Sequence, residues 1–185
     1  VQLLTEAKES PTGANGLLML PYFAGERTPI LDPDARGVIA GLTLQHGRGD
    51  LYRAALEATA FGVRHNIETM REAGADIRRV VAVGGGTQGQ LWLQIISDVT
   101  GIAQVVPRTT VGASYGAAFL AAVAVSEPGH APLLEDWNPV ATIIEPDGEK
   151  TAFYDGLYQH YRDLYTSTVP IVHALAHHQR MEGNS

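Results

Sequence analysis

Apolar positions along the chain alternate between two rhythms. Residues 80–83, Val-Val-Ala-Val, form an unbroken β-branched run, which predicts a short strand buried on both faces. After three glycines, Trp92, Ile95, Ile96 and Val99 recur at spacings of three and four, the period of an amphipathic helix. Upstream, residues 1–15 allow a short helix at most, residues 17–20 read as a buried strand ending at Pro21, and residues 37–41 as a short extended piece. Asp50 is a fair N-cap for a long helix to about Ala73, with Gly74 as its stop. Its expected inward positions are Tyr52, Ala55, Leu56, Thr59, Val63, Ile67 and Met70. Arg53 and Glu57 stand four apart on another face, a pair expected to be solvated.

Downstream, residues 102–106 predict a buried strand stopped by Pro107. Residues 113–124 predict a helix whose face of Ala113, Gly116, Ala117, Ala121 and Ala124 suits close packing against a neighbour. Residues 126–139 read as a loop, 141–144 as an edge strand and 151–165 as an aromatic-rich helix, with a separate last helix after Pro170. This order of helices and strands predicts an α/β class with layers around a parallel or mixed sheet.

Composition narrows the partners more than the fold. With 185 residues and 45% hydrophobic content the chain can bury a core. A net charge of −7 and the lack of a basic stripe argue against nucleic acid. No apolar run reaches the roughly 20 residues of a membrane span. The absence of cysteine excludes disulfides and thiolate chemistry and fits a reducing, cytoplasmic setting. The first residue is Val1 rather than Met, as in a piece of a longer chain.

Two stretches carry candidate chemistry. Gly84, Gly85 and Gly86, followed by Thr87 and Gly89, join the central strand to its helix. Strand, glycine turn and helix let backbone N–H groups and the positive helix end approach an anionic ligand. A plain tight turn needs the same glycines, and the stretch matches neither the dinucleotide nor the P-loop pattern. The second stretch, residues 22–37, sets Glu26 and Arg27 between aromatic residues and two prolines, a length usual for functional loops. The plainer reading is a surface ion pair beside a turn. His173 and His177 have a metal-compatible spacing without the Glu of a zinc protease, so no metal site is assigned.

Several linked motifs then resemble one family. Gly37-x-Ile39-x-Gly41-Leu42, seven residues, and Asp50-Leu51-x-x-Ala54-Ala55-Leu56-Glu57 match a diagnostic pattern of the FGGY carbohydrate kinases. Residues 20–29 and 32–37 resemble the xylulokinase branch. Gly84-Gly85-Gly86, with Leu91-Trp92-x-Gln94 and residues 97–101, is similar to the family's adenosine segment, and residues 112–118 resemble its interdomain helix. The resemblance covers about residues 16–125. It implies an actin-like ATPase, ribonuclease-H-like fold with a mixed sheet flanked by helices. The whole of 1–185 would be the C-terminal, nucleotide-binding half of a two-domain sugar kinase, with 151–185 a helical end.

It also implies ATP and Mg²⁺ as cofactors, a ketopentose such as D-xylulose as substrate, and room for a homodimer. Gly84, Gly85, Gly86, Thr87 and Gly89 would line ATP, while Glu26, Arg27, Gly112 and Gly116 would face the cleft or the other domain. The family's catalytic Asp matches no residue here, so no catalytic base is assigned. Gly89 stands where many relatives carry Ser or Asn. The alternatives are a relative acting on gluconate, ribulose or a polyol, and a non-catalytic actin-like nucleotide-binding module.

Overall fold

A computed structural model describes residues 2–127 and 129–182. In order, the chain forms α1 (Gln2–Glu9), β1 (Leu18–Leu20), β2 (Val38–Ala40), α2 (Arg48–Glu72), β3 (Val80–Val81), α3 (Gln90–Thr100), β4 (Gln104–Pro107), α4 (Ala113–Val125), α5 (Leu134–Trp137), β5 (Val140–Ile144) and α6 (Gly148–Glu182). β1 and β2 pair antiparallel, Leu18 opposite Ala40. A separate mixed sheet has the order β3-β4-β5, with β3 and β4 parallel and β4 and β5 antiparallel. The central strand β4 buries Gln104, Val106 and Pro107. β3 is shorter than its pattern suggests and is not buried on both faces: Val81 is 42% and Val83 53% exposed. Its hydrogen-bonded neighbour is β4 alone, which leaves the other edge uncovered among the described residues.

The core lies among the helices, not within the sheet. Phe61 and Ala60 of α2, Ile95 and Val99 of α3, and Tyr154, Tyr158 and Tyr161 of α6 pack with Leu20 and Tyr22. The rings meet edge-on or tilted, Phe61 with Tyr154 at 5.9 Å and with Tyr161 at 5.3 Å, arrangements that favour aromatic pairs beyond their area. The Tyr22 and Tyr161 hydroxyls bond at 2.7 Å. A second cluster sets Ala54 and Ala58 of α2 against Ala14, Leu17 and Met19.

This packing turns α2 away from its expected orientation. Of the seven predicted inward positions only Ile67 is buried; the buried face carries Arg53, Ala54, Glu57, Ala58, Phe61 and His65. The small Ala54 and Ala58 let α1 and β1 approach, and the aromatic side of α6 covers Phe61. The helix begins at Arg48 rather than after Asp50, because the Asp50 carboxylate reaches back to accept from the Gly47 N–H at 2.9 Å. Asp50 also accepts from Ser10 Oγ at 2.6 Å and Asn15 Nδ2 at 2.7 Å. A side chain at Gly49 would begin 2.7 Å from the Glu6 carbonyl oxygen, so α1 can lie against α2 only with glycine there.

Arg53 and Glu57 are not solvated. They are 7% and 2% exposed and form an ion pair at 2.8 Å. Glu57 Oε1 also accepts from the Tyr154 hydroxyl at 2.8 Å and the Gly13 N–H at 3.0 Å, while Arg53 donates to the Ser10 carbonyl at 2.8 Å. Burial raises the Glu57 pKa against the pull of Tyr154 and Arg53, and drives the Tyr154 hydroxyl strongly upward.

Residues 148–182 are one helix, not two, with Pro170 inside it. Proline removes one N–H and crowds the preceding turn. Tertiary contacts span the break: Tyr161 and Tyr165 before it and His173, Gln179 and Arg180 after it all hold residues 22–36. The stretch 126–139, read as loop, contains the short α5. The predicted positions Val1 and 183–185 lie outside the described residues.

Leaving one member of the Arg53–Glu57 pair unpartnered in the core costs about 3–5 kcal/mol. Glu57→Gln should therefore lower the urea midpoint sharply, and Arg53→Met with Glu57→Leu should recover most of the loss. Equal midpoints for Glu57→Gln and the parent would show the pair to be dispensable. His65, 6% exposed with its Nδ1 unpartnered, predicts a pH effect. Burial, then the nearby Arg162, lowers its pKa below the ordinary 6.5, against a smaller opposing pull from Glu68. The unfolded chain then binds a proton that the folded one refuses, so stability falls as pH drops below about 6.5. Thermal melts from pH 7.5 to 5.5 should show this loss in the parent and less of it in His65→Leu.

Candidate functional site

The carboxyl ends of the parallel strands β3 and β4 deliver two turns to the same edge of the sheet. After β3 the chain passes Gly84 and makes a tight 3-10 turn over Gly85–Gln88 before α3. After β4 it passes Thr109–Gly112 and enters α4. The two turns are joined: the Gly84 N–H donates to the Thr110 carbonyl at 2.6 Å, and a side chain at Gly112 would begin 3.9 Å from Val83. α3 and α4 follow these two turns, each with N-terminal N–H groups that have no partner within the helix and a partial positive charge. Open α/β sheets bind ligands at such an edge.

The glycines divide by task. Gly84 has φ +84° and ψ −169°, a conformation only glycine adopts readily. Nothing lies within 4 Å of where a side chain at Gly84 or Gly85 would begin, so backbone faces open space there. Gly86 is different: a Cβ would sit 2.3 Å from the Trp92 ring. Trp92 in turn donates from Nε1 to Thr59 Oγ1 of α2 at 2.9 Å, fastening α3 and the turn to the long helix. The Thr87 hydroxyl donates to the Gly84 carbonyl at 2.7 Å and braces the turn. Gly89 is the residue that precedes α3, and the Leu93 N–H donates to its carbonyl at 3.1 Å.

The second turn is held by a residue that sequence reasoning passed over. Asn138 accepts from the Thr109 N–H and donates to the Thr109 carbonyl, both at 2.9 Å, tying β4 to the end of α5. Trp137 packs on Tyr115 and Phe119 of α4 at 5.7 Å each. No residue of α4 is buried, with Leu120 67% and Val125 86% exposed, so the expected close neighbour of its small face is not among the described residues. A side chain at Gly116, one turn into α4, would begin with nothing within 4 Å outside its own helix.

Glu26 and Arg27 stand apart from the glycine turns but on the same flank of α2. Thr59, which holds Trp92, also lines an open groove of about 580 Å³ with Glu26, Thr28, Val63 and Met70. Val63 continues into a smaller pocket of about 260 Å³ against Val81, Gly86 and Trp92. Of the α2 stripe expected to be core, Thr59, Val63, Ile67 and Met70 line these depressions. Glu26 Oε1 accepts from the backbone N–H groups of Arg27, at 2.8 Å, and Thr28, at 3.1 Å, so it shapes its own loop. Arg27 is exposed. His173 bonds to Asp32 at 2.8 Å. No group of three or more His, Cys, Asp or Glu able to hold a metal exists among the described residues, and no helix of them is long and apolar enough to cross a membrane.

Residues 2–125 match the C-terminal domain of the FGGY family of carbohydrate kinases. The xylulose kinase of Staphylococcus epidermidis is 34% identical over 168 residues, which is 90% of this chain and 34% of that protein. The ribulokinase of Mycolicibacterium smegmatis is also 34% identical, over 161 residues, 86% of this chain and 29% of that protein. The crystal structure of xylulose kinase from Rhodospirillum rubrum superposes with a TM-score of 0.81 at 36% identity, covering 93% of this chain and 34% of that one. The chain spans about a third of the length of each of these relatives.

Gly86→Ala should lower the melting temperature, since overpacking against a fixed indole costs about 1–3 kcal/mol, while Gly85→Ala should leave it nearly unchanged. Thermal unfolding of the two variants side by side checks the assignment. Equal melting temperatures would show that Trp92 moves aside freely.

Proposed function

We propose a function from one premise: the chain belongs to the FGGY family of carbohydrate kinases. Its role is to bind the nucleotide in the transfer of a phosphoryl group from ATP to a sugar hydroxyl. The observation that supports this most directly is the cross-linked pair of turns at the carboxyl edge of β3 and β4, with open space over Gly84 and Gly85. A side chain at either position would fill the surface along which a nucleotide must lie, so the cradle fits ATP. Bound there, ATP would supply the γ-phosphoryl group and Mg²⁺ would offset its charge. No residue of this chain is assigned to the metal or to proton removal.

What these residues contribute is position. Phosphoryl transfer depends on alignment and electrostatic stabilisation more than on covalent help. Backbone N–H groups at the starts of α3 and α4 hold negative charge without a side chain intervening. Thr87, Asn138 and the Trp92–Thr59 bond keep the two turns from shifting as that charge arrives. The groove between the Glu26–Arg27 loop and α2 opens on the same flank, which suits a loop that meets the sugar-holding part of a longer kinase. The uncovered α4 and β3 edge suit the same arrangement, in which closure would exclude water from the transfer.

For the substrate, D-xylulose is the reading best supported, through the identity to xylulose kinases and the resemblance of residues 20–37 to that branch. A ribulokinase of equal identity keeps other ketopentoses in the comparison.

The decisive assay is sugar-dependent ADP release by the full-length parent across ketopentoses, gluconate and polyols. One strong signal, with D-xylulose, is expected; MgATP binding with silence across the panel would favour a non-catalytic nucleotide module. Gly85→Val should weaken MgATP binding by at least about tenfold while leaving the melting temperature unchanged. Unchanged affinity, read by calorimetry, would move the nucleotide off this turn. The 185-residue chain alone should show no sugar-dependent turnover.

A further inference from the structure

Asp32 joins two parts of the molecule that are far apart in sequence. It is 7% exposed. One carboxylate oxygen accepts from the N–H groups of Asp34, at 2.9 Å, and Ala35, at 3.0 Å, which folds the loop locally. The other meets the Tyr165 hydroxyl and His173 Nε2 of α6, each at 2.8 Å. Its backbone faces the opposite way: the Glu26 N–H donates to the Asp32 carbonyl at 2.8 Å, and the Asp32 N–H donates to the Glu26 carbonyl at 2.7 Å. The conformation of Glu26 and Arg27 is thus one residue removed from α6.

The same helix grips the loop at further points. Arg180 pairs with Asp34, and Arg36 Nε donates to Gln179 Oε1 at 2.9 Å. Tyr165 also lies edge-on to Tyr22 at 5.7 Å. These contacts fall on both sides of Pro170, so the loop bridges the one place where the backbone ladder of α6 is broken. Burial of the Asp32 carboxylate is outweighed by its bonds from His173 and Tyr165, which hold its pKa below the ordinary range.

We propose that α6 is a strap that fixes the Glu26–Arg27 loop through Asp32, with Tyr165 and His173 as its positioning residues. The bearing of this strap on catalysis rests on the reading above that the loop faces the sugar-holding part of the kinase. Tyr165→Phe keeps the ring against Tyr22 and the core, and His173 is 41% exposed, so these replacements remove the bonds to Asp32 without emptying the core.

The test is amide hydrogen exchange on the 185-residue chain, paired with steady-state kinetics of the full-length parent. In Tyr165→Phe combined with His173→Ala, the Glu26 and Asp32 amides should exchange at least about tenfold faster, while Ala58 and Phe61 of α2 keep their protection. Tyr165→Phe with His173→Gln, which restores a donor to Asp32, should return most of that protection. In the parent, the first pair should raise the KM for sugar severalfold at unchanged KM for MgATP. Unchanged exchange at Glu26 and Asp32, or faster exchange that includes α2, would overturn the strap. Faster exchange confined to the loop with an unchanged sugar KM would uphold the strap and count against the loop's place at the sugar.

Discussion

An arginine and a glutamate one helical turn apart, closed off from water, set the terms for the rest of this structure. Two opposite charges gain little by being buried as a pair, but each alone would be costly, so everything that surrounds them must stay in place. α1 and the turn after it supply the Ser10 carbonyl and the Gly13 N–H, and α6 supplies Tyr154. The network therefore fixes three segments around α2 at once. It also explains why α2 presents alanines and aromatics on that side and leaves Thr59, Val63 and Met70 to the opposite, open flank.

That orientation is what makes a site of the open flank. Because the closed side is so constrained, Thr59 is held where it can receive Trp92, and Trp92 holds Gly86 and the turn. The glycine turn and Glu26 line two neighbouring depressions that share Val63 of α2, one reached through α3 and the other through the loop held by α6. Rigidity is thus passed outward from the core by single, identifiable bonds. β3 and α4, by contrast, bury little against the described residues.

How much of this was legible in the sequence followed the range of the interactions involved. The glycine turn and helix at residues 84–100 are legible because they depend on local spacing, whereas the strand before them is shorter and more exposed than its apolar run suggests; the motifs in order point to the family that the comparisons show. The orientation of α2 did not, because Tyr52, Ala55, Leu56 and Val63 form as good an apolar stripe as the true buried face. Contacts distant in sequence decide between them: the tyrosines of α6, about 100 residues away, and residues 10–19. The Arg53–Glu57 pair is not legible as buried because charges four residues apart look solvated until the covering helix is known, and Asp32–His173 is not legible because its partners lie 141 residues apart. Pro170 reads as a break because its rule is local, and the loop that bridges it is not.

The pattern that marks the family has a meaning of its own once its residues are placed. Gly49 admits α1, Asp50 ties the start of α2 to Ser10 and Asn15, Ala54 lets β1 approach, and Glu57 closes the buried network. None of these side chains borders the glycine turns. The signature is therefore an inscription of how two helices and a strand are joined, a structural joint written into the chain as a motif.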